Sequence, residues 1–216
     1  MIRKATLADK DFLITAIIEA EKSGSDQISY CSIFSISETQ LREMLSNILD
    51  EDVQGQELCI SDFLVAEEAG EPVAACCAWI ENETGMASSL IKGNLLTYFM
   101  DSETLLNAAP LLRLMNEINI HREPGTLQIE AVYTRSDMRG KGLGTDLINE
   151  HIACSQATGK KFSKVQVQLL GNNKNAVKAY EKAKFILVEE KTAVNPDIFK
   201  LLPYGTKLLM ERKLNY

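Results

Sequence analysis

The residues of this sequence best suited to chemistry are Arg139, Gly140, Lys141, Gly142, Leu143 and Gly144, which stand between two stretches of different periodicity. Residues 126–133 alternate as a strand does, and Leu143, Leu147, Ile148 and Ile152 recur at helical spacing up to Ala157. The six residues therefore form a turn from a strand into a helix that begins at Gly142 or Leu143. Its glycines let the backbone take positive φ and come close to a ligand. The first amides of the helix lack partners within it and point outward, and the helix dipole puts partial positive charge at the same end. Arg139 and Lys141 add full charges. That combination suits a phosphate or a pyrophosphate. Two common phosphate loops do not fit: Lys141 precedes Gly142 where a P-loop needs the reverse order, and the glycines miss the dinucleotide spacing. The acid that the dinucleotide motif needs further on would fall near Lys164-Val165-Gln166, which has none.

The elements that must hold this turn can be read outward from it. Residues 2–6 predict a first strand, and 9–22 a helix with Phe12, Leu13, Ala16, Ile17 and Ala20 on one face. Residues 37–49 predict a second helix, capped by Ser37 and apolar along Leu41, Met44, Leu45, Ile48 and Leu49. Residues 63–67 and 73–80 read as a hairpin across Glu68-Ala69-Gly70-Glu71-Pro72. Residues 88–100 and 110–120 are expected to be helical, Pro110 suiting a first turn. They form a helical insertion, 82–125, before the fourth strand. After the central helix come a strand at 165–169, a helix at 173–183 and strands at 185–189 and 207–212. The order implies one α/β (α+β) domain over 1–216, built on a mixed sheet.

Composition narrows the function. At 216 residues, 45% hydrophobic and 25% charged, the chain can bury a large core unaided. Five cysteines without a CxxC pair predict buried, reduced thiols and a cytoplasmic protein. No apolar run is long enough to span a membrane, and the net charge of −7 argues against nucleic acid as a partner. The charge is uneven: residues 1–125 carry 8 Lys/Arg and 21 Asp/Glu, and residues 126–216 carry 15 and 9. The basic part is where an anionic ligand is expected, and the acidic part would draw in a cation such as an amine. No His, Cys and acidic residues cluster at metal-binding spacing, so no metal is expected.

The turn resembles the Arg/Gln-x-x-Gly-x-Gly/Ala motif of the GNAT N-acetyltransferase superfamily, with Arg139, Gly142 and Gly144 at the fixed positions. Asn173, Ala176, Tyr180, Lys182 and Phe185 match the family's later motif, and Met1-Ile2-Arg3-Lys4-Ala5-Thr6 with Asp9 matches its opening. The likeness spans most of the chain apart from 82–125 and 192–206. Lys184 departs from it, since glycine usually precedes that phenylalanine.

The resemblance implies a mostly antiparallel sheet splayed between its fourth and fifth strands, with the pantetheine arm of acetyl-CoA lying in the gap. Val132, Tyr133 and Thr134 would form one edge and residues 165–169 the other. The Val132 amide would face the thioester carbonyl, and amides from Arg139, Gly140, Lys141, Gly142, Leu143, Gly144 and Thr145 would hold the pyrophosphate. Tyr180 matches the family's usual general acid, and Asn173 either bonds the pantetheine or only caps its helix. Gln128 and Gln168 occupy the positions where the family often has a basic Glu, which leaves Glu130 as the candidate base and Glu81 or Glu83, through water, as alternatives. The implied activity is acetyl transfer to a primary amine, on a small molecule or on a protein or peptide, by direct attack in a ternary complex. A non-catalytic acyl-CoA-binding sensor or interaction module is the alternative. Dimers are frequent in the family. The insertion at 82–125 and the loop at 192–206 are expected to shape the acceptor site, Leu95, Leu96, Tyr98, Phe99 and Met100 among its candidate lining.

Overall fold

The computed structural model describes residues 1–214. A seven-stranded sheet runs in the order β1-β2-β3-β4-β5-β7-β6. Its strands are β1 (Ile2–Lys4), β2 (Phe63–Glu68), β3 (Glu71–Ile80), β4 (Leu127–Thr134), β5 (Lys164–Leu170), β6 (Ile186–Thr192) and β7 (Thr206–Lys213). Every neighbouring pair is antiparallel except β4 with β5. The helices are α1 (Lys10–Lys22), α2 (Ser29–Phe34), α3 (Glu38–Glu51), α4 (Ser88–Phe99), α5 (Ser102–Met115), α6 (Leu143–Ala157) and α7 (Lys174–Lys182). Alternation along the strands separates two cores. Phe63, Val65, Ala75, Cys77 and Trp79 face α1 and α3, while Leu64, Ala66, Ala74, Cys76 and Ala78 face α6. The adjacent Cys76 and Cys77 thus go to opposite sides.

Local chemistry explains the boundaries. Ser37 caps α3 by accepting from the Gln40 amide at 3.2 Å, and Gln40 Oε1 returns the bond to the Ser37 amide at 2.9 Å. α2 lies outside the expected elements, since its six residues are too short to show a periodicity. One expectation needs correction. α5 begins at Ser102 rather than at Pro110, because Asp101 accepts from the Thr104 amide at 2.8 Å and supplies an earlier cap. Pro110 then lies inside the helix. It removes the bond to the carbonyl of Leu106, which sits on the exposed face, 74% accessible, where water can replace it.

The feature that opens the sheet is local to β4. Cys77 pairs with Glu130 and Ala75 with Tyr133, so β4 carries one residue more than β3 between these points. Ala131 absorbs the extra residue with φ +49. Such a bulge bends and twists a strand. Pairing of β4 with β5 runs from Leu127–Val165 through Gln128–Gln166 to Ile129–Val167 and goes no further. Beyond it, residues 130–134 and 168–170 part. The gap is therefore shorter than the expected edges of 165–169, since Val165 and Val167 still pair. No helix among the described residues is long and apolar enough to cross a membrane.

Candidate functional site

The glycine turn and α6 form one wall of a hollow of about 450 Å³, and α7 forms the other. Gly142, at φ +84, is the N-cap of α6, and a Cβ built there would meet nothing within 4 Å. The space above it is open to a ligand. Gly144 is needed for a different reason. A Cβ there would come within 3.3 Å of Val132 Cγ1, so glycine lets the helix lie against β4. The helix's first backbone bond runs from the Asp146 amide to the Gly142 carbonyl at 3.1 Å, which leaves the preceding amides without helical partners. Val132, Thr134, Arg139, Gly140, Leu143 and Thr145 also line this hollow. Lys141 turns away, with its ammonium 3.7 Å from Glu68. The α7 side is made of Ala176, Ala179 and Ala183, one turn apart, with Lys178 and Lys182 adding charge. Small residues at helical spacing were a signal that sequence reading could have used.

A second hollow, of about 340 Å³, lies in the gap between β4 and β5. It shares Val132, Thr134, Arg139, Ala176 and Tyr180 with the first, so the two meet at these side chains. Tyr133 and Asn173 line it as well. Asn173 does cap α7, accepting from the Ala176 amide at 3.1 Å. Tyr180 is buried, its ring edge-on to Phe185 at 5.6 Å. Burial holds its phenol well above the ordinary pKa, so it keeps its proton. Its backbone is fixed too. The Phe185 amide bonds the Tyr180 carbonyl at 2.9 Å and the Lys184 amide bonds Glu181 at 3.0 Å, a Schellman ending of α7. Lys184 takes φ +71 there, the left-handed conformation that glycine adopts at no steric cost.

On the far side of the gap a third hollow, of about 260 Å³, shares Glu130, Ala131, Ala20 and Gln168 with the second. Glu130 therefore borders both. It is ion-paired to Arg122, whose guanidinium lies 5.3 Å over the Trp79 ring. Burial raises the Glu130 pKa, against the opposing pull of Arg122. Glu57 is paired with Lys92; burial would raise its pKa, but Lys92 and Arg122 outweigh that and bring it down to about 2. Glu21, held by the Ser29 hydroxyl, is raised by burial.

The other expected base positions are elsewhere. Gln128 is bound into a buried network with Thr126, Gln166 and Glu211, and Glu81 receives the Trp79 indole and the Ser88 amide. Glu83 pairs with Lys160 at 2.7 Å. The insertion reaches the third hollow through Ser89, Lys92, Met115, Ile118, Asn119 and Arg122. Leu95, Leu96, Phe99 and Met100 instead pack on the core, and Tyr98 is 78% exposed. Nor is the acidic part's excess charge concentrated here, since Glu21 and Glu57 from residues 1–125 share this hollow with Lys92 and Arg122 from the same part.

A sheet opened beside its one parallel pair, with a helix N-terminus at the opening, is the architecture of the acetyltransferases. It is shared with an N-acetyltransferase from Staphylococcus aureus Mu50 at a TM-score of 0.65 and 16% identity, over 98% of this chain and 100% of that one. An aminoglycoside acetyltransferase in complex with coenzyme A and kanamycin matches at 0.53 and 16%, over 99% and 94%. A phosphinothricin acetyltransferase from Sinorhizobium meliloti, in complex with AcCoA, matches at 0.54 and 16%, over 100% and 88%. No functionally curated protein matches. The acetyltransferase (GNAT) family model matches residues 32–185, and the chain belongs to that family.

Proposed function

We propose that this protein transfers an acetyl group from acetyl-CoA to a primary amine by direct attack in a ternary complex. The observation that carries this reading is the parting of β4 and β5 after the Ile129–Val167 pair, with the open glycine turn on one side of the gap and a charged cavity on the other. The fit to acetyl-CoA rests on three features: free space over Gly142, unpartnered amides at the start of α6, and an unpaired strand edge from Glu130 to Thr134.

Acetyl-CoA, when bound, supplies an acetyl thioester. The amides of residues 139–145 hold the pyrophosphate against the helix dipole. Val132, Tyr133 and Thr134 offer the strand edge to the pantetheine. The Val132 amide donates to the thioester oxygen, where negative charge grows as nitrogen attacks. Glu130 takes the amine's proton, directly or through one water, and its raised pKa makes it a better base than an exposed carboxylate. Tyr180, at the meeting of the cofactor hollows, gives its proton to the departing sulfur. The C–N bond forms as the C–S bond breaks. No described cysteine lines the three hollows, which favours direct transfer over an acyl-enzyme.

Thiol release from acetyl-CoA over a panel of amines tests this. Turnover with intersecting double-reciprocal lines supports it. Parallel lines would point to an acyl-enzyme, and binding of acetyl-CoA without release over the whole panel would make the protein an acyl-CoA-binding module.

A further inference from the structure

The third hollow carries more charge than an amine needs. Besides the Tyr30 phenol, six acidic or basic side chains border it: Glu21, Glu57 and Glu130, and Lys92, Arg122 and Lys207. Two pairs are internal, Lys92 with Glu57 and Arg122 with Glu130. Glu21 is held by the Ser29 hydroxyl and is biased towards its neutral form by burial. Lys207 remains. Among the described residues no carboxylate lies within ion-pair distance of its ammonium, and burial together with the repulsion of Arg122 lowers its pKa. It projects from β7 opposite Leu170 of β5, on the far side of the gap from Glu130.

Polar atoms in the same wall are also unsatisfied. Arg122 Nε is a buried donor without a partner, and Glu57 Oε2 and Gln168 Oε1 are buried acceptors without one. Such atoms cost free energy unless something fills them. Their side chains line the cavity together with Lys207, so its wall holds unfilled donors and unfilled acceptors side by side. A ligand that satisfies both carries an anion and an amine. The volume of about 260 Å³ falls below the roughly 300–1,000 Å³ of clefts that take drug-sized ligands.

We infer that the acceptor is a free amino acid, its carboxylate received by Lys207 and Arg122 Nε while its amine meets Glu130 and Gln168. This deepens the acetyltransferase reading and rests on it. The same cations favour the neutral amine that attack requires, because like charge disfavours an ammonium. A polyamine would bring no carboxylate for Lys207 and would add positive charge beside Lys92, Arg122 and Lys207. A protein N-terminus would bring no carboxylate for Lys207.

The test compares the proteinogenic amino acids, their C-terminal amides and spermidine as acceptors, with wild type, Lys207→Met and Lys207→Arg. At least one free amino acid is expected to be acetylated, with its amide poorer in kcat/KM by roughly ten- to a hundredfold, the range of a charge-assisted hydrogen bond. Lys207→Met should erase that preference through KM for the acid, leave the amide unchanged and leave KM for acetyl-CoA unchanged, and Lys207→Arg should restore part of it. Amide and acid used equally, spermidine used best, or both substrates weakened alike by Lys207→Met would overturn the inference. Melting of each variant with free amino acids, with and without CoA, keeps the question open to an answer if nothing turns over. Stabilisation that Lys207→Met abolishes supports the anion site, and no stabilisation by any amino acid sinks it. Failure of acetyl-CoA itself to bind would instead strike the acetyltransferase reading, and is read in a separate arm.

Discussion

Tyr180→Phe removes one oxygen from the place where the loop hollow meets the gap and leaves the ring where it was. The ring keeps its edge-on contact with Phe185 at 5.6 Å. No described residue hydrogen-bonds the hydroxyl, so the change strands no partner. The fold should lose less than about 1 kcal/mol, a fall in Tm of at most about 2–4 °C for a chain of this length. Activity should respond on another scale. Burial keeps the phenol protonated through the whole working range of pH, and a positioned acid contributes about 10²–10⁴ in rate. We expect kcat to fall by about 100-fold or more, about 2.7 kcal/mol at 1.36 kcal/mol per decade, with KM for acetyl-CoA nearly unchanged. Steady-state thiol release, with Tm measured on the same samples, reads both. A kcat within about threefold of wild type at unaltered Tm would refute the assignment and require another proton source for the sulfur.

Three further outcomes follow from particular side chains. Glu130 acts as a base only when deprotonated, and its pKa is raised, so kcat/KM should lose activity on the acid side at a pH above the ordinary carboxylate range. Glu130→Gln should remove that limb and cut kcat by about 100-fold or more, and an unchanged profile would exclude Glu130. Lys184→Gly relieves the left-handed residue of the Schellman ending, and we expect about 0.5–1 kcal/mol of added stability, or a Tm rise of about 1–4 °C; a lower Tm would contradict the strain argument. His151 donates from Nε2 to the Cys76 carbonyl at 2.8 Å, and burial brings its pKa down to about 4. The unfolded chain binds the proton first, so stability is full above about pH 6.5 and is lost as pH falls towards 4, by an amount on the order of 3 kcal/mol. His151→Gln should flatten that dependence in urea melts between about pH 4 and 7. Equal slopes for the two proteins would count against it.

The parts of the site visible in the sequence are those built from adjacent residues. The run from Arg139 to Gly144 has its meaning in its own spacing, and Asn173 to Phe185 lies on a single helix and its ending, so both are legible in the order of residues alone. The register of the strands followed from alternation, as the opposed Cys76 and Cys77 illustrate. The bulge at Ala131 did not follow, because an alanine at positive φ leaves no compositional mark. That bulge sets where β4 leaves β5, and hence which residues border the gap. The third hollow was hidden for a different reason. Glu21 comes from α1, Glu57 from a loop, Lys92 and Arg122 from the insertion and Lys207 from β7, and only the tertiary fold collects them. Pro110 misled by its ordinary preference: Asp101 caps α5 earlier, and an exposed carbonyl tolerates the missing bond.

Acetyl transfer by this protein requires that the turn at Gly142 hold acetyl-CoA. Titrating the protein with acetyl-CoA while following Tm, with ATP and NADH as controls, is the most direct measurement. At about 100 times the dissociation constant the ligand adds about 2.7 kcal/mol, a Tm rise of about 5–11 °C. We expect acetyl-CoA to produce that rise and the controls not to. Gly142→Asp should abolish it by placing a carboxylate at the helix N-terminus against the pyrophosphate, while Gly142→Ala, which brings only backbone strain at φ +84, should keep most of it. A protein whose Tm is unmoved by saturating acetyl-CoA, or moved equally by ATP and NADH, would contradict the central claim.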